Sequence, residues 1–204
     1  MNITLLIIVV TVIISIMAFS NQLIIENLVF WPYKIWRNNE WHRLLSCSFI
    51  HADLGHLAFN MLALYSFGAY IETSFEYIFE GKGHTLFILM YFGAVASADI
   101  WNLFKQRENT QYKSLGASGG VAAVVFSYIL LNPKGKIYFF FIPIGIPAFI
   151  FGPLYLLYCV YMAKRGTDNI GHLAHFTGSI FGFVFPLLFE PRLLQIFVQQ
   201  LFNA

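Results

Sequence analysis

Long apolar runs, separated by shorter polar connections, dominate the pattern of this chain. A helix that crosses a bilayer needs about 20 mostly apolar residues, so each run is a candidate membrane span. We predict six spans, near residues 3–24, 54–72, 84–104, 116–131, 147–163 and 170–189. The pattern therefore predicts an all-α protein, a polytopic bundle of six transmembrane helices in which residues 1–204 form a single membrane domain.

Composition agrees with a membrane protein. The chain has 204 residues, of which 58% are hydrophobic and 11% charged, a balance unlike that of water-soluble domains. The first run lacks a positively charged start and a small-residue cleavage site, so we expect a retained span rather than a signal peptide. The net charge of +2 is small and scattered, so we expect no nucleic-acid partner. Cys47 and Cys159 show no CxxC spacing, and we expect two small buried side chains.

Two connections have distinct compositions. Residues 25–53 mix tryptophan with charged side chains, which is typical of a membrane interface. Residues 132–147 contain prolines and glycines that would interrupt a straight helix, and we predict an interfacial connection there: Pro133, Gly135, Pro143, Gly145 and Pro147.

The distribution of basic residues leaves the orientation open. With both termini inside, the inner connections would carry four Lys and Arg residues and the outer ones eight. That count opposes the tendency of basic loops to lie inside. Either the termini face outward, or the outer charges belong to loops too embedded in the structure to influence topology.

A serine among small residues opens the fourth predicted span, in the sequence SLGASGG at residues 114–120. The glycines around Ser118 are expected to remove steric cover from its hydroxyl. In the first turn of a helix, unpaired N–H groups and the positive end of the dipole favour negative charge. Ser118 is therefore a candidate nucleophile whose amide would supply part of an oxyanion site. The alternative is a serine N-cap followed by small packing residues.

Two histidines in the sixth predicted span could act as the base for such a serine. Small residues recur there every four positions, a spacing that lets helix backbones approach closely in lipid: Ala174, Gly178 and Gly182. The fourth span carries a matching pair: Gly119 and Ala123. His175 adjoins the stripe and is the predicted base, whereas His172 would lie at the mouth of the cavity. The alternative is a pair of histidines bonded to backbone near a helix start.

The second predicted span carries a further polar pair. His56 and Asn60 are four residues apart and therefore project from the same helix face. Polar side chains within a span are costly and usually face a cavity or a partner. Both can donate a hydrogen bond to an anionic oxygen, which makes them candidates for an oxyanion site. The alternative is that they hold the bundle together through interhelical hydrogen bonds.

Three segments together resemble the motifs of the rhomboid intramembrane serine proteases: WHRLLSCSFIHADLGHLAFN, GASGG and AHFTGSIFG. They correspond to the family's H-x3-N in the second span, G-x-S-G opening the fourth and A-H-x2-G-x3-G in the sixth. The resemblance implies that Ser118 is the nucleophile and His175 the general base. It also implies that His56, Asn60 and the Ser118 amide form the oxyanion site.

The resemblance covers residues 40–182 and includes two further positions. Arg43 and Glu72 fall where the family keeps a loop arginine and a glutamate closing the second span. The chain departs from the pattern twice. His42 separates the loop tryptophan from Arg43, and Ala122 stands where many members carry Tyr or Phe to support the histidine ring.

The implied function is an intramembrane serine endopeptidase that cuts other transmembrane proteins within the lipid bilayer, without a cofactor or metal. We expect Asp99 to be an interfacial or structural acid, so that Ser118 and His175 act as a dyad. An intact helix hides its carbonyls, so the substrate would unwind locally at Gly or Pro. Because nothing suggests organelle targeting, we expect a multi-pass protein of the bacterial plasma (inner) membrane.

Three alternatives compete with this function. A metal centre of five histidines lacks an HExxH motif and a carboxylate at ligand spacing: His42, His51, His56, His172 and His175. A non-catalytic relative that binds transmembrane helices would normally lose the serine or the histidine, and both are present. A soluble-type hydrolase elbow follows a strand, and none is predicted before the serine.

Overall fold

Helices form most of the computed structural model, which describes residues 2–138, 144–166 and 170–202. In chain order they are α1 Ile3–Ser20, α2 Gln22–Leu28, α3 Pro32–Asn38, α4 Arg43–Ser46, α5 Leu54–Ile78, α6 Gly83–Ala98, α7 Ile100–Lys105, α8 Ser118–Leu131, α9 Ala148–Arg165, α10 His172–Phe189 and α11 Arg192–Phe202. A 3₁₀ turn, Cys47–Phe49, follows α4, and two short strands, β1 Lys136–Ile137 and β2 Ile146–Pro147, pair antiparallel. The predicted all-α class is confirmed.

Each predicted span coincides with a helix, but a count of six membrane crossings is not confirmed. Among the described residues, four helical segments are long and apolar enough to cross a bilayer: Ile3–Ser20, Leu54–Ile78, Gly83–Lys105 and His172–Phe189. The apolar helix α8 has only 14 residues. At 1.5 Å per residue it is about 21 Å long, shorter than a hydrocarbon core of about 30 Å. The protein is a polytopic helical membrane bundle.

The short helix α8 lies at the centre of the bundle, in contact with α5, α6, α9 and α10. Its closest approach is to α10, where a Cβ added to Gly178 would collide with Gly119, and one added to Gly182 with Ala123. The predicted small-residue contact is therefore confirmed. Both pairs have the same offset in residue number, so the two helices run parallel. His175, nearly one turn before Gly178, then lies level with the start of α8.

The beginning of α1 is fastened to α5 by a buried carboxylate. Glu72 is 5% exposed and accepts hydrogen bonds from the backbone N–H groups of Ile3 (2.8 Å) and Thr4 (2.9 Å) and from the Thr4 hydroxyl (2.8 Å). His84 Nε2 lies 3.3 Å from the same carboxylate. These bonds satisfy N–H groups that the first helical turn leaves unpaired, and they set a negative charge at the positive end of the dipole.

The connection between α1 and α5 is folded around Arg43. Its side chain is 2% exposed, donates to the carbonyls of Glu26 (2.7 Å) and Val29 (3.0 Å), and pairs with the Glu40 carboxylate. Arg43 is thus one basic residue of this connection that is held inside the structure rather than facing water.

The connection after α8 contains a pairing that the sequence did not predict. Lys136 pairs with Pro147 and Ile137 with Ile146 across β1 and β2, directly before α9 begins. Pro143, which contributed to the prediction of an irregular connection, lies outside the described residues.

Candidate active site

The four residues predicted for serine chemistry line one cavity. This cavity has a volume of about 780 Å³ and is bounded by residues of α5, α6, α8, α9 and α10. His56 and Asn60 reach it from α5, Ser118 from the first turn of α8, and His175 from α10. The structure therefore brings together groups from three helices that are far apart in sequence.

Ser118 is the first residue of α8, and Ala117 occupies the N-cap position. The alternative that Ser118 caps the helix is therefore wrong. Ser118 is half-buried and lines the cavity. At this position its backbone N–H is among those that a helix leaves without an intrahelical partner.

Gly116 sets the path of the backbone into Ser118. Its φ is +121°, a conformation that residues with a side chain rarely adopt. A Cβ at this position would also lie 2.7 Å from Cε1 of His56. The Gly116 N–H donates to the Cys47 carbonyl (2.9 Å). Glycine is required here twice over, for its backbone angle and for the close approach of the His56 ring.

The other two glycines of the motif pack against α6. A Cβ on Gly119 would lie 2.6 Å from the Ala98 Cβ, and one on Gly120 would lie 2.8 Å from the Tyr91 ring. Groups of α6 therefore occupy the space beside these two glycines, which permit close helix packing.

His51 ties the loop before the serine to α1. The Ser15 hydroxyl donates to the Phe49 carbonyl (2.9 Å), so its oxygen accepts from Nδ1–H of His51 (3.0 Å). Nε2 of His51 is then free to accept the Ala117 N–H (3.4 Å), which fixes the neutral tautomer. Burial, with a smaller contribution from neighbouring His56, lowers the pKa of His51 to about 4. Sequence reasoning placed His51 only in an alternative metal centre and missed this role.

His56 and Asn60 occupy the first two turns of α5 and share a face, as predicted. Asp53 caps this helix by accepting the His56 N–H (2.8 Å). Asn60 is 3% exposed and donates through Nδ2 to the His56 carbonyl (2.9 Å). Since a carboxamide carries two N–H donors, one remains for a ligand in the cavity. The His56 ring meets the His51 ring edge-on at 4.9 Å.

His175 is half-buried and belongs to a row of rings. Its ring centroid lies 6.1 Å from that of His172, at an angle of 76°, and the Tyr158 ring meets His172 at 5.5 Å and 86°. These ring contacts come from α9 and α10, and Ala122 of α8 has no ring. His172 is 4% exposed and lines a separate cavity of about 240 Å³, so its predicted place at the mouth of the first cavity is wrong.

Asp99 has a structural environment, as expected. Its carboxylate accepts hydrogen bonds from the Asn102 amide (2.8 Å) and the Ser114 hydroxyl (2.9 Å). These contacts hold the start of α7 and the loop before α8 to the end of α6.

The five histidines of the alternative metal centre do not assemble. His42 contacts the Asn27 carbonyl at 3.2 Å, and His51 and His56 belong to the loop contacts described above. Within the described residues, potential ligand atoms gather in a different set: Cys159, His172 and His175, all within 4.8 Å of one another. Cys159 had no local spacing signal, because its partners lie on another helix.

The fold and the cavity together define a helical membrane protein with a serine and a histidine at a shared site. A comparison with protein families matches residues 38–192 to the Rhomboid domain. The chain belongs to the rhomboid family.

Three relatives illustrate the similarity. RHOMBOID-like protein 12, mitochondrial, of Arabidopsis thaliana is 29% identical over 172 residues, covering 79% of this chain and 50% of the relative. Rhomboid protease GluP of Bacillus subtilis is 31% identical over 144 residues, covering 70% of this chain and 25% of GluP. Rhomboid protein 1, mitochondrial, of Saccharomyces cerevisiae is 26% identical over 145 residues, covering 70% and 40%. The chain thus spans half or less of the length of each relative.

Proposed function

We propose that the protein is an intramembrane serine endopeptidase that cleaves transmembrane substrates with a Ser118–His175 dyad. The observation that supports this most directly is the convergence of Ser118, His175, His56 and Asn60 on one cavity. Membership in a family that includes a relative named as a protease also supports it.

The proposed reaction uses four groups in named roles. His175 removes the Ser118 proton as the hydroxyl oxygen attacks a peptide carbonyl. The Ser118 amide, the His56 ring and the second Asn60 N–H stabilise the oxyanion of the tetrahedral intermediate. His175 then protonates the leaving amine, and water hydrolyses the acyl-enzyme. No cofactor takes part in this scheme.

The proposed substrate is a segment of another transmembrane protein, unwound where it enters the cavity. Hydrophobic side chains line the cavity beside the polar groups, which suits such a segment: Phe59, Phe67, Val125 and Phe126. We also propose that residues 1–204 form one domain, although the family match begins at residue 38. The contacts of Glu72 with Thr4 and of His51 with Ser15 join α1 to the matched region.

The experiment is activity-based labelling of the purified chain with a fluorophosphonate, followed by location of the adduct by mass spectrometry. We expect the adduct on Ser118, and we expect Ser118→Ala to remove both labelling and cleavage of a transmembrane test substrate while remaining folded. Undiminished cleavage by the variant would refute the serine mechanism. Cleavage lost to a metal chelator would favour a metal centre instead.

The second candidate function is a non-catalytic rhomboid-like binder of transmembrane helices. Family membership alone is compatible with such a binder. A binder of this kind predicts substrate capture without labelling of Ser118.

As for location, two of the relatives are named mitochondrial and one is bacterial. They do not support the bacterial plasma membrane over a mitochondrial one, so only a membrane location is retained.

A further inference from the structure

A second chemistry is available next to the proposed base. Cys159 on α9 and His172 and His175 on α10 hold a thiol and two imidazoles whose ligating atoms all lie within 4.8 Å of one another. Cys159 is fully buried and His172 is 4% exposed. We propose that these three side chains form a binding site for a borderline-soft divalent cation of the Zn²⁺ class.

The donor set matches this class of cation. Thiolate and imidazole are the ligands that Zn²⁺ prefers, whereas Mg²⁺ and Ca²⁺ prefer oxygen. Bonds of about 2.0 to 2.3 Å in a tetrahedral zinc site place the ligand atoms about 3.3 to 3.6 Å apart. From the limit of 4.8 Å the ligand atoms need to close by at most about 1.5 Å around the ion, a shift that torsional changes of three side chains can supply. Three protein ligands leave a fourth position for water.

Two of the three ligands border a cavity. His175 lines the 780 Å³ cavity, and His172 lines the neighbouring cavity of 240 Å³. The ligand group thus lies between two spaces that can hold water. On binding, each neutral imidazole contributes a nitrogen lone pair, and the Cys159 thiol releases its proton to water and binds as a thiolate.

His175 is both a ligand of the proposed cation site and the proposed general base, so a bound cation inhibits cleavage. This consequence rests on the proposed function. A His175 nitrogen whose lone pair is bound to a cation cannot accept the Ser118 proton. The cation then blocks cleavage reversibly, and a chelator restores it. Binding itself depends only on the three ligands.

The binding test is a Cd²⁺ titration of the purified full chain, followed by the ultraviolet charge-transfer absorption of a cadmium–thiolate bond. We expect one Cd²⁺ per chain in the natural sequence and in Ser118→Ala. The band should vanish in Cys159→Ala and persist in Cys47→Ala, the matched change at the other cysteine. His172→Ala keeps the thiol but removes one ligand, so the affinity for Cd²⁺ should fall at least 10-fold. Mutation of a residue that only supports a metal ligand already lowers metal affinity by about 10- to 100-fold. A band that is absent from the natural chain or unchanged in Cys159→Ala refutes the site.

The functional test measures cleavage against Zn²⁺ concentration, with each variant normalised to its own rate in chelator. Cys159→Ala should need at least 10-fold more Zn²⁺ for half-inhibition, whereas Cys47→Ala should respond like the natural chain. Equal inhibition by Mg²⁺ or Ca²⁺, or an unchanged response of Cys159→Ala, contradicts the inhibitory role.

The two proposals fail in different ways. If Ser118→Ala still cleaves substrate, the proposed function fails, while the Cd²⁺ band continues to test the site. If the natural chain cleaves, Ser118→Ala does not, and the band is absent, only the cation site is refuted. If Cd²⁺ binds at Cys159 but Zn²⁺ leaves cleavage unchanged, the site stands and its inhibitory role is wrong.

Discussion

Two buried polar clusters on α5 differ in what their hydrogen bonds are used for. Near the end of the helix, Glu72 accepts three hydrogen bonds from Ile3 and Thr4 and has His84 beside it. In the first two turns, Asn60 commits one donor to the His56 carbonyl and faces a large cavity. Both positions are buried, at 5% exposure for Glu72 and 3% for Asn60.

The comparison shows that burial alone does not distinguish a structural polar residue from a functional one. Unmade hydrogen bonds are expensive in a low-dielectric interior, so a cluster whose donors and acceptors match one another contributes stability. A donor left facing a cavity is available to a ligand or a transition state instead. We therefore expect changes at Glu72 to affect unfolding and changes at the cavity to affect turnover.

The largest expected effect separates the two histidines of α10. His175→Ala should reduce cleavage by about 10,000-fold or more and abolish fluorophosphonate labelling, because the nucleophile loses its base. His172→Ala should retain labelling of Ser118 and a measurable fraction of cleavage. The reverse pattern, with His172→Ala inert and His175→Ala active, would move the proposed base by nearly one turn.

Asn60→Ala should lower turnover by about 10- to 1,000-fold, through loss of one oxyanion donor. Its thermal unfolding should change much less than its activity, and KM should change less than kcat. If the thermal unfolding temperature of the variant falls sharply while turnover per folded molecule is normal, Asn60 has a structural role like that of Glu72.

Glu72→Ala should lower the free energy of unfolding by about 2 to 3 kcal/mol, since it leaves the first N–H groups of α1 and the Thr4 hydroxyl without their acceptor. Turnover per folded molecule should be unchanged. Glu108→Ala is the control: it removes an exposed ion pair with Arg37 and should change stability far less than Glu72→Ala does. Equal effects of the two variants on unfolding would contradict the structural role of Glu72.

A smaller effect is expected from pH, through His51. Its pKa of about 4 in the folded protein lies below the value of 6.5 for the exposed group. Between these values the unfolded chain binds more protons, so the stabilisation is complete above about pH 6.5 and is lost as pH falls toward 4. The free energy of unfolding should decrease by about 2 kcal/mol between pH 7 and pH 5.

His51→Gln keeps an acceptor for the Ala117 N–H but does not titrate. Its unfolding should therefore depend less steeply on pH than that of the natural chain, measured by thermal or denaturant unfolding at each pH. Identical slopes for both proteins would show that other groups cause the dependence.

The sequence alone determined much of this protein. Apolar runs predicted a helix at each of six positions, because a helix in lipid must satisfy its own backbone hydrogen bonds. The stripe of Ala174, Gly178 and Gly182 predicted the contact with α8, because only small residues let two backbones touch. Motif order indicated the family and the candidate residues Ser118 and His175. Each of these signals is contained in local spacing.

Only the tertiary structure decided the contacts that depend on how a helix is rotated and offset against its neighbours. Helix α9 carries apolar side chains on every face, so its sequence does not specify which face meets α10. The sequence therefore could not predict that Cys159 lies beside His172 and His175. In the same way, nothing near His51 indicated that it would bridge Ser15 and Ala117, since those partners belong to separate segments that meet only when the bundle has formed.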